Sequence, residues 1–228
     1  MKLDNITDVF FDLDHTLWDF ETNSALTFRN ILPKNNVPVD VEAFIQAYVP
    51  INFAYWEAFR MEEIDQKQLR YGRLKDSFNA INYDVSDEMI AILAEDYIQV
   101  LPSHNHLFEG AFEVLDYLKS KYRLHIITNG FNTIQNHKLT NSKIKHYFQT
   151  ITDSESTGVK KPNPAIFEYA MKVAEVDCKN AVMIGDCVEA DVNGALQCGM
   201  DAILFQVEPC ATYSVKQIST LKELKNFL

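Results

Sequence analysis

The feature of this 228-residue chain that most constrains its fold is an alternation of short apolar runs with amphipathic segments. The runs are rich in β-branched and large apolar residues, which is typical of strands covered on both faces. The segments between them repeat apolar residues at helical spacing. This order predicts βαβ units and an α/β fold with a doubly wound parallel sheet. The predicted strands are 8–13, 123–128, 147–152, 180–185 and 201–205, and the predicted helices between them are 111–120, 164–173 and 189–198.

One long stretch interrupts this alternation. From about Glu21 to Leu101 no convincing strand pattern occurs, and helical periodicity dominates. We therefore expect a core formed by 1–18 and 102–228, with an all-helical insertion at 19–101 placed after the first strand. The predicted helices of the insertion are 25–32, 41–60, 66–81 and 86–100, punctuated by Pro33, Pro38, Pro50 and Pro102.

Composition narrows the range of partners. Apolar residues make up 47% of the chain and charged residues 23%, which is ordinary for a soluble globular protein. The net charge of −11, without a run of Lys or Arg, argues against a nucleic acid polymer or an anionic membrane as partner. No 18-residue apolar run and no signal-peptide pattern occur, so a cytoplasmic location is expected. Four cysteines without a C-x-x-C pair predict reduced thiols: Cys178, Cys187, Cys198 and Cys210.

Reactive or phosphate-binding residues follow three of the predicted strands. In open α/β sheets, ligands bind beyond the carboxyl ends of the strands, so these residues should lie near one another. A lysine pair also precedes a predicted helix. The residues are Asp12 and Asp14 after the first strand, Thr128, Asn129 and Gly130 after the second, Asp186 with Asp191 after the fourth, and Lys160 with Lys161 before Pro162.

The spacing of the first two carboxylates suggests a metal. Asp12 and Asp14 stand at i and i+2, which in a strand places both side chains on one face. Two crowded carboxylates repel unless a divalent cation lies between them or one of them holds a proton. Asp186 would add a third carboxylate. Hard oxygen ligands without clustered His or Cys favour Mg²⁺ over zinc.

These residue types together suit phosphoryl transfer. A carboxylate can attack phosphorus and form an aspartyl-phosphate, and a metal can screen the repulsion between two anions. A hydroxyl with backbone N–H groups can hold phosphate oxygens, and a lysine supplies compact positive charge. Taken singly, each motif is also explained by a turn, a helix cap or a solvated charge. The combination of motifs at successive strand ends favours the catalytic interpretation.

In this order the motifs resemble the haloacid dehalogenase superfamily, whose core is Rossmann-like, over nearly the whole chain from Val9 to Leu224. The resemblance is closest to the bacterial pyrimidine 5′-nucleotidase branch. It rests on 12–20 (DLDHTLWDF), 127–131 (ITNGF) and 159–170 (VKKPNPAIFEYA), and more loosely on 56–74.

The resemblance implies roles for the residues that carry the reaction. Asp12 would be the nucleophile and a Mg²⁺ ligand. Asp14 would protonate the leaving oxygen and then activate water, and its backbone carbonyl would bind Mg²⁺. Lys161 would steady Asp12 and the phosphate; Lys160 is the rival, but the family lysine abuts the proline.

It also implies the binding residues. Thr128 and the N–H of Asn129 would bind phosphate, Asp186 would ligate Mg²⁺, and Asp191 would support that metal site. The helical insertion resembles the cap of the family, which closes over the site and excludes water.

The expected function is thus Mg²⁺-dependent hydrolysis of a small phosphorylated metabolite, such as a nucleoside 5′-monophosphate, by a monomer or homodimer. Another phosphatase of the superfamily and a sugar phosphomutase remain alternatives. A haloacid dehalogenase is disfavoured because a leaving halide needs no proton donor such as Asp14. A catalytically silent binding protein is disfavoured because none of the four motifs is lost.

Two sets of residues in the insertion could contact the leaving group. The aromatic rings could stack on a nucleobase, or they could fill the core of the insertion, which is the interpretation we favour. The arginines could bind substrate, although surface charge is the simpler reading. The residues are Phe44, Tyr48, Phe53, Tyr55, Trp56, Phe59 and Tyr71, and Arg60, Arg70 and Arg73.

Overall fold

The computed structural model describes residues 2–208 and 213–228. The chain divides into two compact units, one formed by Met1–Asp19 with Asn105–Leu228 and the other by Phe20–His104. We call the first the α/β unit and the second the helical unit.

The helical unit contains four α-helices and a short 3₁₀ turn. Side chains cap three of the helices at their amino ends, which satisfies N–H groups that have no partner within the helix. Pro33 and Pro50 lie inside helices, so their expected role as punctuation was wrong. The elements are α1 (Phe20–Lys34), α2 (Val41–Arg60), α3 (Gln66–Ala80), α4 (Asp87–Val100) and the 3₁₀ turn Leu101–Ser103.

Aromatic rings form the core of the helical unit. Phe28 packs against Tyr48 and Tyr97, with ring centroids 4.5 and 4.9 Å apart. Arg73 is buried among them, 7% exposed, and its guanidinium carbon lies 4.9 Å from the centroid of Tyr97. The expectation that Arg73 is surface charge was therefore wrong. Its Nη1 donates to Oδ1 of Asn52 at 2.8 Å, which makes this core partly polar.

The α/β unit is built on a six-stranded parallel sheet with the order β3-β2-β1-β4-β5-β6. The α/β class and all five predicted strands are confirmed, and the sixth strand was not predicted. Because β1 lies between β2 and β4, the chain segments that follow these three strands emerge side by side. The strands are β1 (Asp8–Phe11), β2 (Arg123–Thr128), β3 (Phe148–Asp153), β4 (Ala181–Gly185), β5 (Asp201–Phe205) and β6 (Lys216–Ile218).

Helices cover the sheet, and two of them, α6 (Asn132–Asn141) and α7 (Ser154–Thr157), were not predicted. The segment Asn132–Asn141, α6, lacks an apolar stripe; its buried residues are Gln135, Lys138 and Leu139. The predicted helix 189–198 begins instead as a π-helix, Val188–Asn193, which leads into the short α9. The remaining helices of the unit are α5 (Ala111–Lys119), α7 (Ser154–Thr157) and α8 (Pro164–Ala174), with α9 at Gly194–Gln197.

The described cysteines form no disulfide: Cys178, Cys187 and Cys198 are thiols, and Cys210 lies outside the described residues. In the part of the chain that the structure describes, no helix combines the length and the apolarity needed to cross a membrane.

Candidate active site

A tight turn follows β1 and places the first two carboxylates. The N–H of Asp12 donates to the carbonyl of Ile184 at 2.9 Å, so the pairing of β1 with β4 continues one residue past the strand. The chain then turns, and the N–H of His15 donates to the carbonyl of Trp18 at 3.0 Å. His15 has a φ of 63°, a left-handed conformation that is uncommon for a residue with a Cβ. Asp14 lies in this turn, immediately before the strained residue.

Lys161 holds the carboxylate of Asp12. Its Nζ donates to Oδ1 of Asp12 at 2.5 Å, to Oδ1 of Asp191 at 2.6 Å and to the carbonyl of Ile127 at 2.8 Å. These three hydrogen bonds use all the donors of an ammonium group. The Lys161 side chain is 2% exposed, so these protein groups and not water surround its charge.

Burial and neighbouring charge shift the pKa values of this cluster. Burial alone would lower the pKa of Lys161, but the carboxylates of Asp12 and Asp191 outweigh it and raise that pKa. Burial raises the pKa of Asp12; Lys161 opposes this shift, and the charges of Asp191 and Asp186 reinforce it. The ammonium of Lys161 is therefore charged at neutral pH, whereas Asp12 and Asp191 share it as their positive partner.

Asp186 follows β4, the neighbour of β1. Burial, and next the charge of Asp191, raise the pKa of Asp186 to about 7. The charge of Lys161 lowers this pKa and that of Asp14 raises it. Asp186 is thus a carboxylate whose charged form needs a further positive partner at neutral pH.

Asp191 accepts hydrogen bonds at both oxygens. Oδ1 accepts from Lys161, and Oδ2 accepts from the N–H of Cys187 at 3.1 Å. The π-helical turn Val188–Asn193 folds this side chain back over Gly185, where a Cβ would overlap the carboxylate. The structure therefore places Asp191 as a partner of Lys161, and its supporting role at a metal stays a prediction.

The turn after β2 is tied to the lysine. The Asn129 side chain donates to the carbonyl of Lys161 at 3.0 Å and accepts from its N–H at 2.7 Å. The carbonyl of Asn129 accepts from the Ser154 hydroxyl at 3.1 Å. These bonds brace the backbone of the β2 turn and that of Lys161 against each other, whereas the predicted contact of the Asn129 N–H with phosphate remains a prediction.

Thr128 lies at the end of β2 and is 2% exposed. Its Oγ1 accepts from the Nε2 of Gln135 at 2.7 Å and from the N–H of Gly130 at 3.1 Å. Both lone pairs of the hydroxyl are thereby engaged, so its proton is directed away from these two donors. This arrangement suits Thr128 to donate to an anionic oxygen.

Two residues that the sequence did not point to hold Asp14. The Nζ of Lys138 donates to Oδ1 of Asp14 at 2.6 Å, and the Nε2 of Gln135 donates to Oδ2 at 2.9 Å. Both donors lie on α6, three residues apart, and are therefore neighbours on one face of the helix. A spacing of two polar residues at i and i+3 just after the Thr128 turn is the only sequence signal for them, and it is weak.

The structure thus brings the predicted residues together at one edge of the sheet in the α/β unit. Across 2–208 and 213–228, no three side chains of His, Cys, Asp and Glu converge as a ready-made metal site.

A model of the haloacid dehalogenase-like hydrolases matches residues 8–199, which include all the residues of this site. The chain belongs to that family. This confirms the family expected from the motifs.

Curated relatives of this haloacid dehalogenase-like hydrolase include phosphatases. Pyrimidine 5′-nucleotidase PynA of Streptococcus pneumoniae is 30% identical over 202 residues, 86% of this chain and 82% of PynA. Pyrimidine 5′-nucleotidase YjjG of Escherichia coli is 28% identical over 225 residues, 96% of each chain. A glyceraldehyde 3-phosphate phosphatase of Methanothermobacter thermautotrophicus is 33% identical over 88% of this chain and 85% of the relative.

A solved structure shares both units. The magnesium-bound crystal structure of the HAD hydrolase YfnB of Bacillus subtilis superposes with a TM-score of 0.88. The two chains are 26% identical, and the match covers 98% of each. Interdomain movement is described for YfnB.

Proposed function

We propose that this chain is a Mg²⁺-dependent phosphomonoester hydrolase that works through an aspartyl-phosphate on Asp12, with pyrimidine nucleoside 5′-monophosphates as the substrate class.

The observation that carries the proposal is the separate anchoring of two carboxylates two residues apart. Asp12 is held by Lys161, and Asp14 is held by Lys138 and Gln135. A nucleophile and a proton donor need different environments, and these two carboxylates have them. A dehalogenase would have no use for the second one, since a leaving halide needs no proton.

In the first half-reaction, a carboxylate oxygen of Asp12 attacks phosphorus and the bond to the leaving oxygen breaks. Asp14 gives that oxygen its proton. Lys161 fixes Oδ1 of Asp12 and so limits rotation of the nucleophile. The Thr128 hydroxyl donates to a phosphate oxygen and neutralises part of its charge.

In the second half-reaction, Asp14 takes a proton from water as that water attacks phosphorus. The bond between phosphorus and Asp12 breaks, which frees the carboxylate and releases inorganic phosphate. Asp14 thereby regains the proton it gave, so one residue serves as acid and then as base.

The residues present fit Mg²⁺. Asp12 and Asp191 share the single ammonium of Lys161, and burial and the charge of Asp191 raise the pKa of Asp186, so the three carboxyls lack positive charge when all of them are ionised. Asp12 and Asp186 would hold the cation, with the backbone carbonyl of Asp14. When bound, Mg²⁺ would screen the negative phosphate from the Asp12 carboxylate.

The substrate class is supported by PynA and YjjG, both named as pyrimidine 5′-nucleotidases. We propose that residues 19–101, which include most of the helical unit, act as the cap and set selectivity. A triose phosphate is the second candidate, favoured by the glyceraldehyde 3-phosphate phosphatase relative.

Phosphate release measured over a substrate panel tests this proposal. The panel contains UMP, dUMP, dTMP, the purine nucleotides, glyceraldehyde 3-phosphate, hexose phosphates and phosphoglycolate, each with Mg²⁺ and with EDTA. We expect the highest kcat/KM for a pyrimidine nucleotide and no turnover in EDTA. A preference for the triose phosphate would retain the phosphatase and reject the nucleotidase.

The nucleophile is tested in the same assay. Asp12→Asn should abolish turnover of every substrate, since it removes the attacking oxygen while keeping the shape. Acid-quenched wild-type enzyme should carry phosphate on the peptide that contains Asp12, and the variant should not. Turnover by Asp12→Asn equal to that of the wild type would refute the mechanism.

A further inference from the structure

We propose that Gln135 and Lys138 of α6 are positioning residues that act as one clamp on the reaction: they orient the carboxylate of Asp14 for proton transfer, and Gln135 also directs the hydroxyl of Thr128. The inference rests on the proposed function, because it assigns a purpose to residues beside the proton donor. Neither residue needs to touch the substrate.

The carboxylate of Asp14 is held at both ends. Lys138 occupies Oδ1 at 2.6 Å and Gln135 occupies Oδ2 at 2.9 Å, so rotation of the carboxylate plane would break one bond or the other. Each oxygen retains a second lone pair. The Asp14 side chain is also 23% exposed, so it remains accessible to a leaving oxygen or to water.

The side chain of Lys138 is itself fixed by its neighbours. Its side chain is 4% exposed, and its Nζ lies 4.4 Å from the centroid of the Trp18 ring. Trp18 is fully buried and belongs to the same turn as Asp14. Lys138 therefore contacts the two sides of the turn that carries the proton donor, by charge on one side and by a cation–π contact on the other.

Gln135 connects two catalytic elements with one amide group. Its Nε2 carries two hydrogens and lies 2.9 Å from Oδ2 of Asp14 and 2.7 Å from Oγ1 of Thr128. Because Thr128 must accept from Gln135, its own proton points elsewhere. The amide of Gln135 thus orients the hydroxyl of Thr128 and also fixes one carboxylate oxygen of Asp14.

The local backbone is adapted to this amide. Gly130 leaves the space that the Gln135 side chain occupies, and a Cβ there would overlap the amide. Gln135 is 1% exposed and Lys138 3% exposed, although neither is an apolar residue. Burying a lysine and an amide on a helix without an apolar stripe costs free energy that these contacts offset. If α6 served only to cover the sheet, leucine could fill these two buried positions without that cost.

The test exploits the dependence of proton donation on the leaving group. An alkyl leaving group needs a proton, whereas 2,4-dinitrophenolate does not. We would measure kcat/KM with Mg²⁺ for ethyl phosphate, phenyl phosphate and 2,4-dinitrophenyl phosphate. The variants are Lys138→Met, Lys138→Arg and Gln135→Met, with Asp14→Asn as the reference for a missing acid. Exposed residues of the same unit, in Lys145→Met and Gln149→Met, provide matched controls.

For Lys138→Met we expect a loss of roughly 100-fold with the alkyl ester and less than roughly threefold with the dinitrophenyl ester, as for a displaced general acid. Lys138→Arg should recover a large part of the alkyl activity. Gln135→Met should show the same dependence on the leaving group, with an added loss on all three esters because Thr128 is also released. The controls should match the wild type.

The dinitrophenyl ester is also the folding control, since a misfolded variant loses all three activities together. Equal losses on the three esters with a Lys138→Met variant that keeps the wild-type melting temperature, or no loss, would overturn the clamp while leaving the phosphatase intact. Wild-type enzyme that hydrolyses none of the esters would overturn the proposed function and the clamp with it.

A double-mutant cycle adds a second readout. If Lys138 acts through Asp14, then Lys138→Met should cause little further loss in an Asp14→Asn background, because residues in one network are not additive. Additive losses in the double variant would show that Lys138 acts on something else and would reject the clamp.

Discussion

The Nζ of Lys161 and Oδ1 of Asp12 lie 2.5 Å apart although 149 residues separate them in the sequence. This bond joins the segment after β1 to the segment before α8. Its environment is almost fully buried, so the pair affects both the stability of the α/β unit and the orientation of the nucleophile.

Replacing the lysine should therefore reduce stability as well as activity. Lys161→Met leaves Asp12 and Asp191 without their shared cation, and removal of one partner from a buried pair costs about 3–5 kcal/mol. Urea denaturation with Mg²⁺ absent measures the free energy of unfolding. Lys160→Met is the matched control and should cost less than about 1 kcal/mol. Equal destabilisation by the two variants would contradict the assignment of Lys161.

Asp186 and Asp191 should differ in their response to Mg²⁺. Asp186→Asn removes a proposed ligand, so the Mg²⁺ concentration for half-maximal rate should rise at least about tenfold. Asp191→Asn weakens the hold on Lys161, so it should lower kcat with little change in that concentration. Titration of Mg²⁺ in the phosphate-release assay distinguishes the two. A large shift for Asp191→Asn would instead indicate that Asp191 belongs to the metal site.

Stabilisation by Mg²⁺ should increase with pH. The pKa of Asp186 in the folded protein is about 7, above its ordinary value of 3.8, so the folded state binds this proton more tightly than the unfolded state. The contribution to stability is present at low pH and is lost as pH rises towards the folded pKa. At high pH a bound Mg²⁺ would take the place of that proton as the positive partner of Asp186. The Mg²⁺-induced shift in Tm should thus be larger at about pH 8 than at about pH 5.5, measured by calorimetry; a shift independent of pH would contradict this.

A buried network at the other end of the sheet should affect stability alone. Asp8 accepts hydrogen bonds from His125 and from Arg123, both at 2.9 Å. Asp8 is the first residue of β1, whereas Asp12 follows the last residue of that strand. Asp8→Ala should lower the free energy of unfolding by on the order of 3 kcal/mol and leave kcat unchanged below the melting temperature. Chemical denaturation and the phosphate assay together check this. A fall in kcat with stability retained would show that the network reaches the active site.

The network of Asp8, Arg123 and His125 should lose stability as pH falls, in contrast to the effect of Asp186. Burial lowers the pKa of His125 below its ordinary value of 6.5, with Asp8 opposing the shift. The unfolded state therefore takes up the proton first as pH falls below about 6.5, and the wild type loses stability there. His125→Gln should show a smaller loss of stability between about pH 6.5 and about pH 5. An unchanged slope would mean that other groups determine the acid sensitivity.

Much of the fold could be predicted because its signals are local. The apolar runs of β1, β2, β4 and β5 are buried on both faces, which is the pattern typical of parallel strands. The strand ends then identified Asp12 and Asp186, since parallel strands carry their ligands there. β6 escaped prediction because Lys216–Ile218 is too short to show a period.

The residues that were missed or misread are polar and buried. The α6 segment has no apolar stripe, so hydrophobic periodicity could not reveal it, and no motif pointed to Gln135 or Lys138. Arg73 was misread because a charged side chain is usually exposed. The contacts of Asp191 with Lys161 and Cys187 depend on a π-helical turn that no spacing rule predicts, and its supporting role at a metal stays a prediction.

The close approach of Gly130 and the Gln135 amide has a consequence for comparing chains of this kind. The glycine is needed only while a long amide lies across it, and the amide fits only while the position has no side chain. A sequence in which one of the two has changed should also have changed the other. Paired substitution at these sites would therefore mark lineages that orient their proton donor by another route.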